Sequence, residues 1–100
     1  MVSLKKLQKQ IYANKIKKGF NTTDIYKEFC LIHEEVSEAC RAHYRKEYTV
    51  GEELADVAIY LLGLSEILNI NLEQEIKRKV MKNNKRVYKR INGVLAKVGQ

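Results

Sequence analysis

FNTTDIYKEFCLIHEEVSEACRAHY, residues 20–44, decides the fold. Ile25, Phe29, Ile32, Val36, Ala39 and His43 recur at steps of three and four, which lays one apolar stripe along an α-helix. Ahead of the stripe, Asn21 is the expected N-cap, with Asp24 at the third position and Phe20 stapled onto Ile25. On the N-terminal side, Leu4, Leu7 and Ile11 mark a first helix that fades near Lys18-Gly19. On the C-terminal side, Thr49-Val50-Gly51-Glu52 is a capping-box pattern that opens a third helix. From Leu54 to Leu68 that helix is apolar almost all round, as expected of a central, buried element. Asn69-Ile70-Asn71 interrupts it, with Asn71 the next N-cap and Gln74 its partner. Leu72, Ile76, Val80, Val87 and Ile91 then predict a last helix fraying after Asn92-Gly93. The chain has no proline and shows no strand pattern or repeat. Four helices with short connections predict an all-α, four-helix antiparallel bundle, one domain over residues 1–100.

At 100 residues the chain buries only part of its surface, so assembly through helix faces is expected. No apolar run reaches the ~18 to 20 residues of a membrane span. The stretch from Met1 to Lys18 is broken by Lys5, Lys6, Lys9 and Lys15 and lacks the apolar centre of a signal peptide. Cys30 and Cys40 fit neither a metal knuckle nor a disulfide framework, so reduced thiols in a cytoplasmic chain are expected.

The net charge of +7 is unevenly laid out. Residues 1–21 carry six lysines and no acid. Residues 22–75 carry all twelve acids against four bases, a charge of −8, and residues 76–100 carry nine bases and no acid. An acidic centre between basic ends suits a metal-bound polyanion. The basic end alone would equally suit nucleic acid.

Within the acidic block stand two pairs, Glu35-x-x-Glu38 and Glu53-x-x-Asp56. A spacing of three sets both members on one side of a helix, about a turn apart. Both pairs fall at the edge of an apolar stripe, where unpaired acids are costly. Two such pairs facing each other offer four hard oxygen ligands, the donor set that magnesium takes. Glu28, two turns before Glu35, is a further candidate. The last helix supplies the complement, because Lys79-x-x-x-Asn83-x-x-Arg86 puts a cation, an amide and a guanidinium in one narrow arc suited to phosphate.

Leu31-Ile32-His33-Glu34-Glu35-Val36-Ser37-Glu38-Ala39, Glu52-Glu53-Leu54-Ala55-Asp56-Val57 and Lys79…Asn83…Arg86 together resemble the MazG-type nucleotide pyrophosphohydrolases of the all-α NTP pyrophosphatase superfamily. The resemblance runs from about Lys18 to Tyr88. It implies magnesium-dependent hydrolysis of nucleoside triphosphates, canonical or modified, to a monophosphate and pyrophosphate. Glu35, Glu38, Glu53 and Asp56 would be the magnesium ligands, with manganese an acceptable substitute. Lys79, Asn83 and Arg86 would contact the triphosphate. Glu38, or else Glu35, would accept the proton of the attacking water, at either the α or the β phosphorus. For the base, Phe20 is the leading stacking candidate, followed by Tyr88, Tyr44 and Tyr60, while His33 is a pocket or a surface residue. The resemblance further implies a homodimer or homotetramer with the site completed or covered by a neighbour. Two other classes compete: a basic nucleic-acid-binding module, which leaves the paired acids unexplained, and a regulatory helical partner without catalysis.

Overall fold

The computed structural model describes residues 2–98. Ser3 opens α1 (Leu4–Lys18), its hydroxyl accepting the Lys6 amide. Gly19 closes it with φ of +72°, a left-handed turn that costs glycine no Cβ clash. The next helix, α2 (Ile25–Tyr44), is capped by Asp24, whose carboxylate accepts the Lys27 amide at 3.1 Å. Asn21 is therefore not the cap. It folds the preceding turn, accepting the Asp24 amide at 3.0 Å and donating to the Asp24 carbonyl at 2.8 Å. An ionised cap at a helix N-terminus also gains from the helix dipole, which favours Asp24 in that position.

Then comes α3 (Val50–Ile67). Thr49 precedes it without a side-chain cap bond, so the capping box expected there does not form. Asn69, at φ +59°, ends this segment, and Asn71 caps α4 (Leu72–Asn84) by accepting the Gln74 amide, as expected. The chain finishes in an antiparallel hairpin of β1 (Val87–Ile91) and β2 (Val94–Val98), paired Val87 to Val98 and Ile91 to Val94. The expected last helix thus stops at Asn84, and the strands run through Val87, Tyr88 and Ile91. Asn92 and Gly93, both at positive φ (52° and 78°), form a two-residue turn of the kind that fits the strand twist, and β-branched residues flank it.

The helices do not pack as four equals. α3 lies between α1 and α2 and meets both. Gly63 lets α1 come close: a Cβ there would stand 3.4 Å from both Ile11 Cγ2 and Lys15 Cδ. Among the described residues, buried apolar side chains are few, namely Ala39, Ala42, Leu62 and Leu64. α4 meets α1 at its own first turn. Gln8, only 2% exposed, donates to the Ile70 carbonyl at 2.6 Å and to Glu66 at 3.0 Å, and accepts the Leu72 amide. Beyond Glu73 the helix leaves the body, and residues 74–85 are all exposed. The radius of gyration is accordingly 16.9 Å, against about 13 Å for a rounded 100-residue domain. With no α4 upon it, α3 is central without being buried all round: Leu54, Ile59 and Leu61 are 58%, 45% and 42% exposed. Among the described residues, no helix is long and apolar enough to cross a membrane.

Candidate metal and nucleotide site

α2 and α3 run side by side, so the acidic pair of each faces the other. Glu35, Glu38 and Glu53 each bring one carboxylate oxygen within 4.8 Å of the other two. Asp56 stands one turn further along α3, outside that set and exposed, yet its charge acts on both Glu35 and Glu53. Among the described residues, no lysine or arginine forms an ion pair with any of these four acids.

One oxygen of Glu35 and one of Glu53 are sealed from solvent and have no hydrogen-bond partner. Burial pushes the Glu35 carboxyl above the usual range, and the charges of Glu38, Asp56 and Glu53 add to the shift. Glu53 is raised in the same way, by burial first and then by Glu38 and Asp56. Crowded hard oxygens, partly desolvated and without a counter-charge, fit a divalent cation.

The sign of these shifts yields a test. A carboxyl whose folded-state value is raised binds its proton more tightly folded than unfolded. Its stabilising contribution is therefore fully present below the unfolded value and is lost as pH rises through the folded one. In EDTA at neutral pH, Glu35→Gln should melt above the parent chain. At about pH 4, below the ordinary glutamate value, that advantage should vanish, because the raised Glu35 carboxyl then keeps its proton in the folded chain. Magnesium should raise the melting temperature of the parent and not of the variant. Melting curves at both pH values, with and without magnesium, check all three.

Glu28 does not join the acids. Fully buried, it receives the Lys15 ammonium at 2.7 Å and the Asn21 amide at 3.1 Å, which ties α1 to α2. Its spacing from Glu35 put it on the correct helix, but α1 reaches it first. Lys15 stands in the sequence as one of the lysines that break the N-terminal stretch, yet it falls four residues after Ile11 on the apolar stripe of α1. A charge in a core register is the signal that was there to read.

Lys15 and Glu28 also line a cavity of about 640 Å³, together with Phe20, Asn21, Ile59 and Tyr60. Lys15 Nζ stands 5.6 Å from the centre of the Tyr60 ring, a cation–π contact. Burial raises the Tyr60 hydroxyl, with Glu35 the next largest influence. Leu31, which also lines the cavity, lies one turn before Glu35 on α2, and Tyr60 lies one turn after Asp56 on α3, so cavity and acids share the α2–α3 seam. Phe20 is 54% exposed, and Tyr44 at 85% touches little. His33 is exposed, and no role follows from its position.

The phosphate-binding candidates lie elsewhere. Lys79 and Asn83 are on the protruding part of α4, and Arg86 follows the helix end. Arg86 holds the Lys79 ammonium below its ordinary value, helped by partial desolvation and by Lys82 and Lys97. Arg86 Nε is sealed from solvent without a partner. Tyr88 is on β1, half exposed. One chain therefore assembles the acids and, apart from them, the cations.

No protein-family model, curated protein or solved structure matches this chain.

Proposed function

We propose that this chain is a magnesium-dependent nucleoside triphosphate pyrophosphohydrolase that clears canonical or modified nucleotides in the cytoplasm. The observation that carries this reading is the convergence of Glu35, Glu38 and Glu53 within 4.8 Å, with two oxygens unpartnered and no cation supplied by the described residues. The family resemblance of the motifs points the same way. Glu35, Glu38 and Glu53 would hold magnesium, with Asp56 adding its negative charge beside them. A metal bound there would supply charge neutralisation of the phosphates and acidification of a water.

The chain's own groups do the rest. Glu38, the exposed member of its pair, accepts the proton of the attacking water as the new phosphorus–oxygen bond forms. The anhydride bond breaks, and a nucleoside monophosphate and pyrophosphate depart. Lys79 and Arg86 compensate the charge that builds on the leaving oxygens, and Asn83 orients the chain of phosphates. Assembly as a homodimer or homotetramer would cover the apolar faces left open on α2, α3 and α4 and complete the bundle. Pyrophosphate release from a panel of ribo- and deoxyribonucleoside triphosphates, in magnesium and in EDTA, tests the reading.

The cavity beside the acids would take the base, with Phe20 as its stacking face. Base–aromatic stacking contributes about 1–3 kcal/mol. Phe20→Ala should accordingly raise KM roughly 5- to 100-fold and leave kcat within a few-fold, because about 1.4 kcal/mol is a factor of ten in affinity. Steady-state kinetics on the preferred nucleotide distinguish this from a purely structural role, which would alter the melting temperature and not KM.

One observation favours a second reading, a nucleic-acid-binding module: residues 76–98 carry nine basic side chains and no acid, and nearly all are exposed. Steeply salt-dependent DNA affinity that persists in EDTA would support it.

A further inference from the structure

From Lys77 to Lys97 the chain holds nine cationic side chains and no acid. Lys77 and Arg78 reach back to Glu73 and Glu75 in exposed ion pairs. Among the described residues, the other seven pair with no carboxylate.

Their layout follows the backbone. At about 100° per residue, Lys79, Lys82 and Lys85 share an arc of about 120° on α4. Ile76 and Val80 lie on the other side of that helix, so the basic side stays open when the apolar side is covered. The hairpin continues the line, because Arg86 first, with Lys82 and Lys97 after it, holds the Lys79 ammonium below its ordinary value.

Cross-strand partners share a face of the hairpin. Tyr88 stands opposite Lys97, and Arg90 opposite Leu95, so one face sets an aromatic ring among cations. That ring is 47% exposed. Arg90 gives one N–H to the Gly93 carbonyl at 3.4 Å and has others to give. Val87, Ile91 and Val94 fall on the opposite face.

A row of cations without counter-charges, beside an open ring, matches a polymer that alternates phosphates with flat bases. Duplex bases are stacked on one another and closed to a side chain. An unpaired base can lie on a tyrosine while neighbouring cations take its phosphates. A membrane surface instead needs apolar side chains on the same side as the cations, and on α4 the two point apart.

We propose that the hairpin face of Tyr88, Arg90 and Lys97, prolonged along α4 by Lys82 and Lys85, binds single-stranded nucleic acid. Tyr88 stacks on a base, and the four cations follow the backbone. The acidic cluster takes no part, since carboxylates repel phosphate. The surface is the same whether or not that cluster is catalytic, and its test runs in EDTA, apart from any pyrophosphate release.

A fluorescein-labelled oligothymidylate of about 20 nucleotides is titrated with the full chain in EDTA at several salt concentrations, and its anisotropy is read. The expected result is saturable binding that weakens with salt at a log–log slope of about −3, since each of four cations contributes about −0.7. Arg90→Ala/Lys97→Ala should flatten that slope by about 1.4. Tyr88→Ala should weaken binding about 5- to 100-fold with the slope unchanged, whereas Tyr88→Phe, which keeps the ring, should bind as the parent does.

No binding, a slope near zero, or a Tyr88→Ala chain that binds like the parent overturns the proposal. If Tyr88→Phe falls as far as Tyr88→Ala, the ring is not a stacking platform, and the proposal fails as well. Tighter binding to the same strand annealed to its complement, or to phosphatidylserine vesicles, assigns the surface to duplex or to membrane and overturns it too.

Discussion

Glu38→Gln should abolish magnesium-dependent pyrophosphate release, by about 10²- to 10⁴-fold if its part is proton transfer alone. The substitution keeps the shape of the side chain and removes both its negative charge and its basicity. Glu38 is exposed on α2 and makes no hydrogen bond that holds the fold, so loss of structure is not the expected reason for loss of activity. The variant should in fact be no less stable than the parent without metal, because its charge is among the causes that raise both Glu35 and Glu53. Activity and stability therefore move apart, and only a role at the site gives that combination. Pyrophosphate assays and melting curves on the same preparations check it. A variant that keeps wild-type turnover would remove Glu38 from the chemistry, and with it the reason to read the cluster as catalytic.

The acidic cluster was legible because its signal is local. Residues three apart on a helix share a side, and the apolar stripes already fixed which side of α2 and α3 faces the neighbour. Asn71 was legible for the same reason, since a cap reports on its own next three residues. The misreadings came from signals that serve two periods. Val80, Val87 and Ile91 suit a helix at steps of seven and four, but Val87, Lys89 and Ile91 also suit a strand at steps of two. The Asn92-Gly93 pair that decides for a hairpin also suits the frayed end of a helix.

Long-range partners were not legible at all. Nothing near Glu28 in the sequence says that a lysine thirteen residues earlier will reach it before the acidic cluster does. The stripe on α4 marks a face suited to packing. It could not say that no surface of the same chain would bury it, and α3, apolar all round, was left half open by the same circumstance.

Lys15→Met should be the most destabilising single substitution in this chain outside the small apolar core. The Lys15 side chain is 10% exposed and that of Glu28 is 1%, at a separation of 2.7 Å. Removing one member of such a pair leaves an uncompensated buried charge, at a cost of about 3–5 kcal/mol. Asn21 keeps one hydrogen bond to the stranded carboxylate and so moderates the loss without cancelling it. For a chain of this size each kcal/mol moves Tm by roughly 4–8 °C, so a fall of about 12 °C or more is expected.

Adding Glu28→Leu to Lys15→Met should recover most of that loss, because a buried pair replaced by apolar residues of similar volume is often neutral or stabilising. Full recovery is not expected, since Asn21 would then lose its acceptor and Tyr60 its cation. Thermal melts of the two single variants and the double give the coupling directly. If Lys15→Met melts with the parent, the pair does not join α1 to α2 in solution. The cavity it lines would then lack its polar wall, and a specific base would have no fixed group there to meet.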